Sequence, residues 1–187
     1  MHWVWLILLG YLVLLFQTTL GRLFNFDISY LGGIGPDFMA MVTVFVALYA
    51  REAADAMLTG CILGLGVDLA AGGAVGAMAS VGPMPVAYAI AAALIFRIRE
   101  GMFRDRALTR VLLTIVFCAL SHGLWVTLQG LLTASSLTWR LYGRMLLEVL
   151  VVAIYTGLLA PLVLYGLSKI QRWLFAVPPG RSRRTAR

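Results

Sequence analysis

Apolar positions in this chain come as long runs rather than as strict alternation, and short polar or glycine-rich stretches separate them. Runs near 20 residues predict helices of membrane-spanning scale rather than strands. Residues 3–20 form the first run; with no basic leader and no small-x-small cleavage site, it predicts a retained helix rather than a removed signal. Residues 21–35, holding Arg22, Asn25, Asp27 and a Gly32-Gly33 pair, predict a loop. A second helix is expected over about 36–50, with Pro36 suited to a first helical position and Asp37 placed near the positive helix end. Arg51-Glu52-Ala53-Ala54-Asp55 reads as a tight charged turn. A short glycine-rich third span over about 56–71 is broken by Gly72-Gly73. The fourth, over about 77–96, contains Pro83 and Pro85, which predict a kink. A basic connection over 97–110 leads to a fifth span over about 111–133, a polar loop over 134–143 and a sixth span over about 144–167 with Pro161 inside it. The expected fold is all-α: a polytopic integral membrane protein with a six-transmembrane-helix bundle over residues 1–170 and a basic tail over 171–187. No fixed-period repeat and no separate soluble domain interrupts it.

Composition sharpens this picture. Of 187 residues, 61% are hydrophobic and only 12% charged, where a soluble domain carries about 25% charged residues. An ordinary water-soluble enzyme and a disordered chain are both excluded, because neither can expose so much apolar surface to water. The net charge of +7 would suggest nucleic acid in a soluble protein. Here the arginines flank apolar runs, as orientation signals and contacts to anionic lipid do, so membrane lipids and no nucleic acid are expected. With both termini cytoplasmic, the inner side holds Arg51, Arg97, Arg99, Arg104, Arg106, Arg110, Lys169, Arg172, Arg181, Arg183, Arg184 and Arg187, twelve of the fifteen basic residues. Arg22, Arg140 and Arg144 lie outside. Cys61 and Cys118 fall inside apolar runs and read as small packing residues, not as a disulfide or a metal site.

Gly60, Gly64 and Asp68 are spaced four apart and share one helix face. The glycines predict a small-xxx-small surface on which another helix packs closely. A carboxylate facing lipid costs roughly 2.5–3.5 kcal/mol at a helix centre, so Asp68 should face protein or a water-filled cavity. His122 lies at comparable depth, Asp37 and Glu148 open inward-running helices as first-turn carboxylates, and Arg140 and Arg144 sit near the same level. Two readings follow: a polar outer cavity or docking face, or Asp37 and Glu148 as first-turn carboxylates favoured by the helix dipole with Asp68 tied to His122 or an arginine for packing alone; His122, Arg144 and Glu148 are candidates for polar pairing. Gln129, Cys118 and Trp125 share the side of the helix that bears His122. No metal, nucleotide, cysteine-pair or nucleophile-elbow motif occurs, so no catalytic, cofactor-binding or metal-ligating residue is assigned.

Several features then coincide. Gln17-Thr18-Thr19-Leu20 closes the first span, Pro36-Asp37 opens the second, and Gly60-x-x-x-Gly64-Leu65-x-x-Asp68-Leu69 leads to Gly72-Gly73 and Gly76. In this order, within a six-span chain of this length, they resemble the MreD family of rod-shape-determining proteins, best over residues 17–80. The double proline and the arginine-rich tail depart from that pattern. The resemblance implies a non-enzymatic scaffold of the bacterial elongation machinery in the inner membrane, without cofactor. It would bind the bitopic partner MreC and, through it, connect MreB filaments with the peptidoglycan synthase and transpeptidase. Pro36, Asp37, Gly60, Gly64, Asp68 and Gly76 carry the match and would form the partner and packing interface. Two rivals stand beside this reading. One is a solute-binding S component of an energy-coupling-factor transporter, with a pocket around Asp68, His122 and Glu148. The other is a proton- or lipid-translocating channel using Asp68 and His122 as a relay.

Overall fold

The structure is a computed structural model of the chain and describes residues 3–19, 21–28, 32–72, 82–99, 107–132 and 139–174. Within them run six helices: α1 (Trp3–Thr19), α2 (Phe38–Tyr49), α3 (Ala53–Gly72), α4 (Pro83–Ile98), α5 (Ala107–Leu132) and α6 (Trp139–Leu174). Three of them contain stretches long and apolar enough to cross a membrane: Ala53–Ala70, Leu108–Leu131 and Tyr142–Lys169. Helices α1, α2 and α4 are apolar but shorter. Large apolar side chains such as Ile7, Leu8, Ile90, Leu112, Leu158 and Leu162 are exposed on the outer faces, which suits contact with lipid tails rather than water.

Helix α2 explains how the rest is arranged. Its 12 residues rise only about 18 Å, well short of a hydrocarbon core about 30 Å thick. Every residue from Phe38 to Leu48 is buried, as expected of a helix apolar on all sides. Burying a helix whole leaves its terminal N–H and C=O groups without water, so the protein must supply partners. At the start, Asp37 is the N-cap and its Oδ1 accepts the Ala40 N–H at 3.0 Å. At the end, buried Arg99 donates through Nη1 to the carbonyl oxygens of Ala47 and Leu48 at 2.8 and 2.9 Å. An anion at the N-terminus and a cation at the C-terminus both complement the helix dipole.

The same contacts fix direction. Tyr88, near the start of α4, reaches Asp37, while Arg99 just past its end reaches the end of α2, so α2 and α4 run parallel with α3 returning between them. Gln17 at the end of α1 accepts the Met39 N–H. Arg110 at the start of α5 donates to the Tyr49 hydroxyl at the end of α2, and His122 further along meets Asp37. Both α1 and α5 therefore run against α2. Two buried clusters surround it, one with Tyr88, Ala91, Ile95 and Phe117, the other with Leu6, Leu63 and Leu164.

Several sequence expectations are corrected here. The prolines do not kink a fourth span: α4 starts at Pro83, with Pro at its first turn and Gly82 as N-cap, because a missing N–H costs nothing where no helical acceptor exists. Gly82 has φ +135°, a conformation that glycine adopts without a Cβ penalty. Helix α2 begins at Phe38, so Pro36 precedes the cap instead of opening the helix. The expected loop over 21–35 contains a 3-10 turn (Gly21–Phe24) and a two-stranded hairpin, β1 (Phe26–Ile28) and β2 (Gly32–Ile34), in which Asp27 pairs with Gly33. Helix α6 begins at Trp139, inside the polar loop expected over 134–143, and continues to Leu174, while its apolar stretch, Tyr142–Lys169, lies close to the sixth span expected over about 144–167. Gly76, Arg104, Arg106 and residues 175–187 lie outside the described residues.

Candidate functional site

The polar centre of the molecule gathers around Asp37, where α2 starts. Asp37 is 5% exposed and Tyr88 wholly buried. Asp37 Oδ1 caps the helix, and Oδ2 accepts the Tyr88 hydroxyl. His122 Nε2 of α5 lies 3.5 Å from the same Oδ2. The Asp37 backbone N–H donates to Thr156 Oγ1 of α6 at 3.0 Å. One residue thus joins α2, α4, α5 and α6. Tyr88 is held in place by Phe117, whose ring meets it edge-on at 5.2 Å between centroids, so the hydroxyl is aimed rather than free to rotate away.

Asp68 makes a second junction, separate from the first. Its Oδ2 accepts the N–H groups of Gly82 and Met84 at 2.8 and 3.2 Å. A carboxylate from the last turns of α3 therefore caps the start of α4, satisfying donors that proline-led helix starts leave open. Among the described residues His122 meets Asp37 and Asp68 meets backbone N–H groups, in place of the expected pairing of Asp68 with His122. Glu148 is not a first-turn residue, since α6 starts at Trp139. It is half-buried and Arg144 is exposed; the ion-pair partner of His122 is Asp37 rather than either position.

The glycine face is occupied from within. A Cβ on Gly60 would stand 2.7 Å from the Tyr88 carbonyl oxygen, and one on Gly64 2.9 Å from both the Met84 oxygen and Pro85 Cα. These positions let α3 and α4 pack backbone to backbone, which moves the predicted partner-docking surface off this face: α4 of the same chain covers it. Cys118 is buried as expected, whereas Cys61 is exposed on α3.

Sequence reasoning passed over Tyr88, Thr156 and Arg99. Tyr88 sits inside an apolar run, where a single phenol reads as packing, and Thr156 resembles any small residue of a span. Arg99 counted as one more flanking charge, although it is only 6% exposed and stacks on Phe96, with its guanidinium carbon 3.8 Å from the ring centroid. Among the described residues no group of three or more His, Cys, Asp or Glu side chains could hold a metal ion. A groove of about 300 Å³ between α1 and α6 is lined by apolar side chains, including Phe16, Phe24, Phe38 and Val163. Such a wall offers shape without proton transfer or charge stabilisation. The arrangement at Asp37 and Asp68 fixes helices in place through hydrogen bonds that satisfy one another. No family model, curated protein or solved structure matches the chain.

Proposed function

We propose that this protein is a six-span scaffold of the bacterial cell-elongation complex, set in the inner membrane with both termini cytoplasmic, and that it docks a bitopic partner of the MreC type without catalysing a reaction. One observation carries the reading. The residues behind the resemblance to the MreD family have consecutive jobs in one structural unit: Gln17 and Asp37 at the start of α2, Gly60 and Gly64 beneath α4, and Asp68 at the start of α4. Their chemistry is spent on holding helices, as a scaffold requires, and the outward faces remain apolar. Arg51, Arg97 and Arg110 lie toward the end of the bundle where α2 and α4 finish, the side that the positive-inside rule assigns to the cytoplasm.

Depletion in the source cells, with affinity purification of the tagged chain, tests this. The expected result is a change in cell width and co-purification of a single-span cell-shape protein. Unchanged width, together with thermal stabilisation of the purified chain by a vitamin-sized solute, would overturn the scaffold and favour a solute-binding transporter component.

A further inference from the structure

The groove between α1 and α6 has two unlike ends. Thr156 of α6 stands beside Asp37 at the start of α2, and Leu164 and Leu167 pack with Leu6 near the start of α1. Helix α6 therefore runs alongside α2 toward the end of the bundle where α2 finishes. At the Asp37 end three rings close the groove: Phe16 and Phe24 meet Phe38 edge-on, with centroids 5.0 and 6.2 Å apart. Val42 of α2 and Leu159, Val163 and Leu167 of α6 line it further along. At the opposite end comes Lys169. It follows Leu162, an exposed residue of the groove's rim, by seven positions and so lies on the same side of α6. Lys169 is exposed and its ammonium is 5.1 Å from the centre of the Tyr165 ring. Its stem can thus lie on apolar surface while its charge reaches the membrane edge. No acidic residue occurs in α1 or anywhere after Glu148, so neither α1 nor this part of α6 brings a carboxylate to the mouth.

Dimensions choose the occupant. From Leu159 to Lys169 the helix rises about 15 Å, half of a hydrocarbon core about 30 Å thick, so the groove and its cation are as deep as one leaflet. A helix about 10 Å across would need about 900 Å³ along the roughly 12 Å from Leu159 to Leu167. That is three times the groove's volume of about 300 Å³. A single hydrocarbon chain needs far less, since an apolar cavity of about 150 Å³ already takes up benzene. We propose that the groove holds one acyl chain of an anionic phospholipid, with its methyl end against the three phenylalanine rings and its phosphate at Lys169. The walls supply shape and dispersion contacts and give a polar ligand no partner. The lysine supplies the preference for a negative headgroup. This site stands independently of the scaffold proposal; only the identity of the leaflet, the cytoplasmic one, rests on the orientation assigned there.

The test uses the full chain in nanodiscs of equal phosphatidylglycerol and phosphatidylcholine. Both lipids occupy both leaflets there, so the result does not depend on orientation. In native mass spectrometry the unmodified chain should retain one phosphatidylglycerol. Lys169→Gln should lower the ratio of retained phosphatidylglycerol to phosphatidylcholine by about fivefold, the worth of one basic residue near an anionic surface. Leu162→Trp, which sets a larger ring in the rim, should reduce retention of both lipids several-fold. Leu112→Trp, at an exposed position of α5, should leave it unchanged. An unaltered ratio in Lys169→Gln, or equal losses in the two tryptophan variants, would mean annular lipid only and overturn the proposal. Retention of neither lipid by the unmodified chain would also overturn it and return the groove to a partner helix. Should Leu162→Trp fail to fold, the Lys169→Gln ratio decides alone.

Discussion

Gly64→Leu is expected to prise α3 from α4 with a large loss of stability. A bare Cβ at this position already meets the Met84 carbonyl oxygen and Pro85 Cα at 2.9 Å. Overpacking a protein interior costs about 1–3 kcal/mol when side chains can adjust. Here the obstacle is backbone, which has no rotamer to retreat into, so Gly64→Leu should reach or exceed the top of that range while Gly64→Ala stays within it. The displacement would also pull Met84 and Gly82 from Asp68, removing the cap of α4 along with the packing. Gly166→Ala is the control, because nothing lies within 4 Å of its Cβ position, and it should leave stability unchanged or raise it by up to about 1 kcal/mol, alanine being the better helix former. Equilibrium unfolding of the three variants beside the unmodified chain measures this. Equal midpoints for Gly64→Leu and Gly166→Ala would show that the helices do not approach as described.

Arg99→Ala is expected to destabilise the protein by about 2–6 kcal/mol, taking about 1–3 kcal/mol for each of the two buried acceptors deprived of its donor. The guanidinium holds the last carbonyls of α2 through Nη1, and water cannot replace it where the residue is 6% exposed. Arg99→Lys should recover part of the loss, because an ammonium can reach a carbonyl but cannot stack on Phe96 as a planar cation does. Arg97, exposed two positions earlier, supplies the contrast: Arg97→Ala should change unfolding little, as surface charges do. Unfolding midpoints that coincide for Arg97→Ala and Arg99→Ala would contradict the capping role.

The contrast between Arg97 and Arg99 also shows what the amino-acid pattern could and could not reveal. Periodicity and run length found all six helices, because the apolar runs are long and the breaks between them are polar, but α4 starts at Pro83 rather than near 77 and α6 runs from Trp139 to Leu174 rather than over about 144–167. Boundaries shifted where a local rule had two outcomes. Proline either kinks a helix or begins one, and only the position of Gly82 decides for Pro83. The spacing of Gly60, Gly64 and Asp68 was legible as one tight face, since four-residue spacing is a property of any helix. What packs there was not legible, because a small-residue face accepts a helix of its own chain as readily as another's. The Asp37 junction escaped for a related reason: its partners Tyr88, His122 and Thr156 come from three other helices, and nothing in the order of residues encodes which turns of separate helices meet. The burial of α2 was likewise hidden, because a run that is apolar on all sides looks the same facing lipid or facing its neighbours.

That buried, doubly capped helix is the centre of the account, since the scaffold proposal needs α2 to carry the chain from one side of the membrane to the other despite its length. Single cysteines at Asn25 and Arg51, both exposed, placed in a Cys61→Ala, Cys118→Ala background, can be probed with a membrane-impermeant maleimide. In intact cells the label is predicted to reach position 25 and to reach position 51 only after the membrane is opened. Labelling of both positions in intact cells, or of neither, would mean that α2 does not cross and would contradict the account.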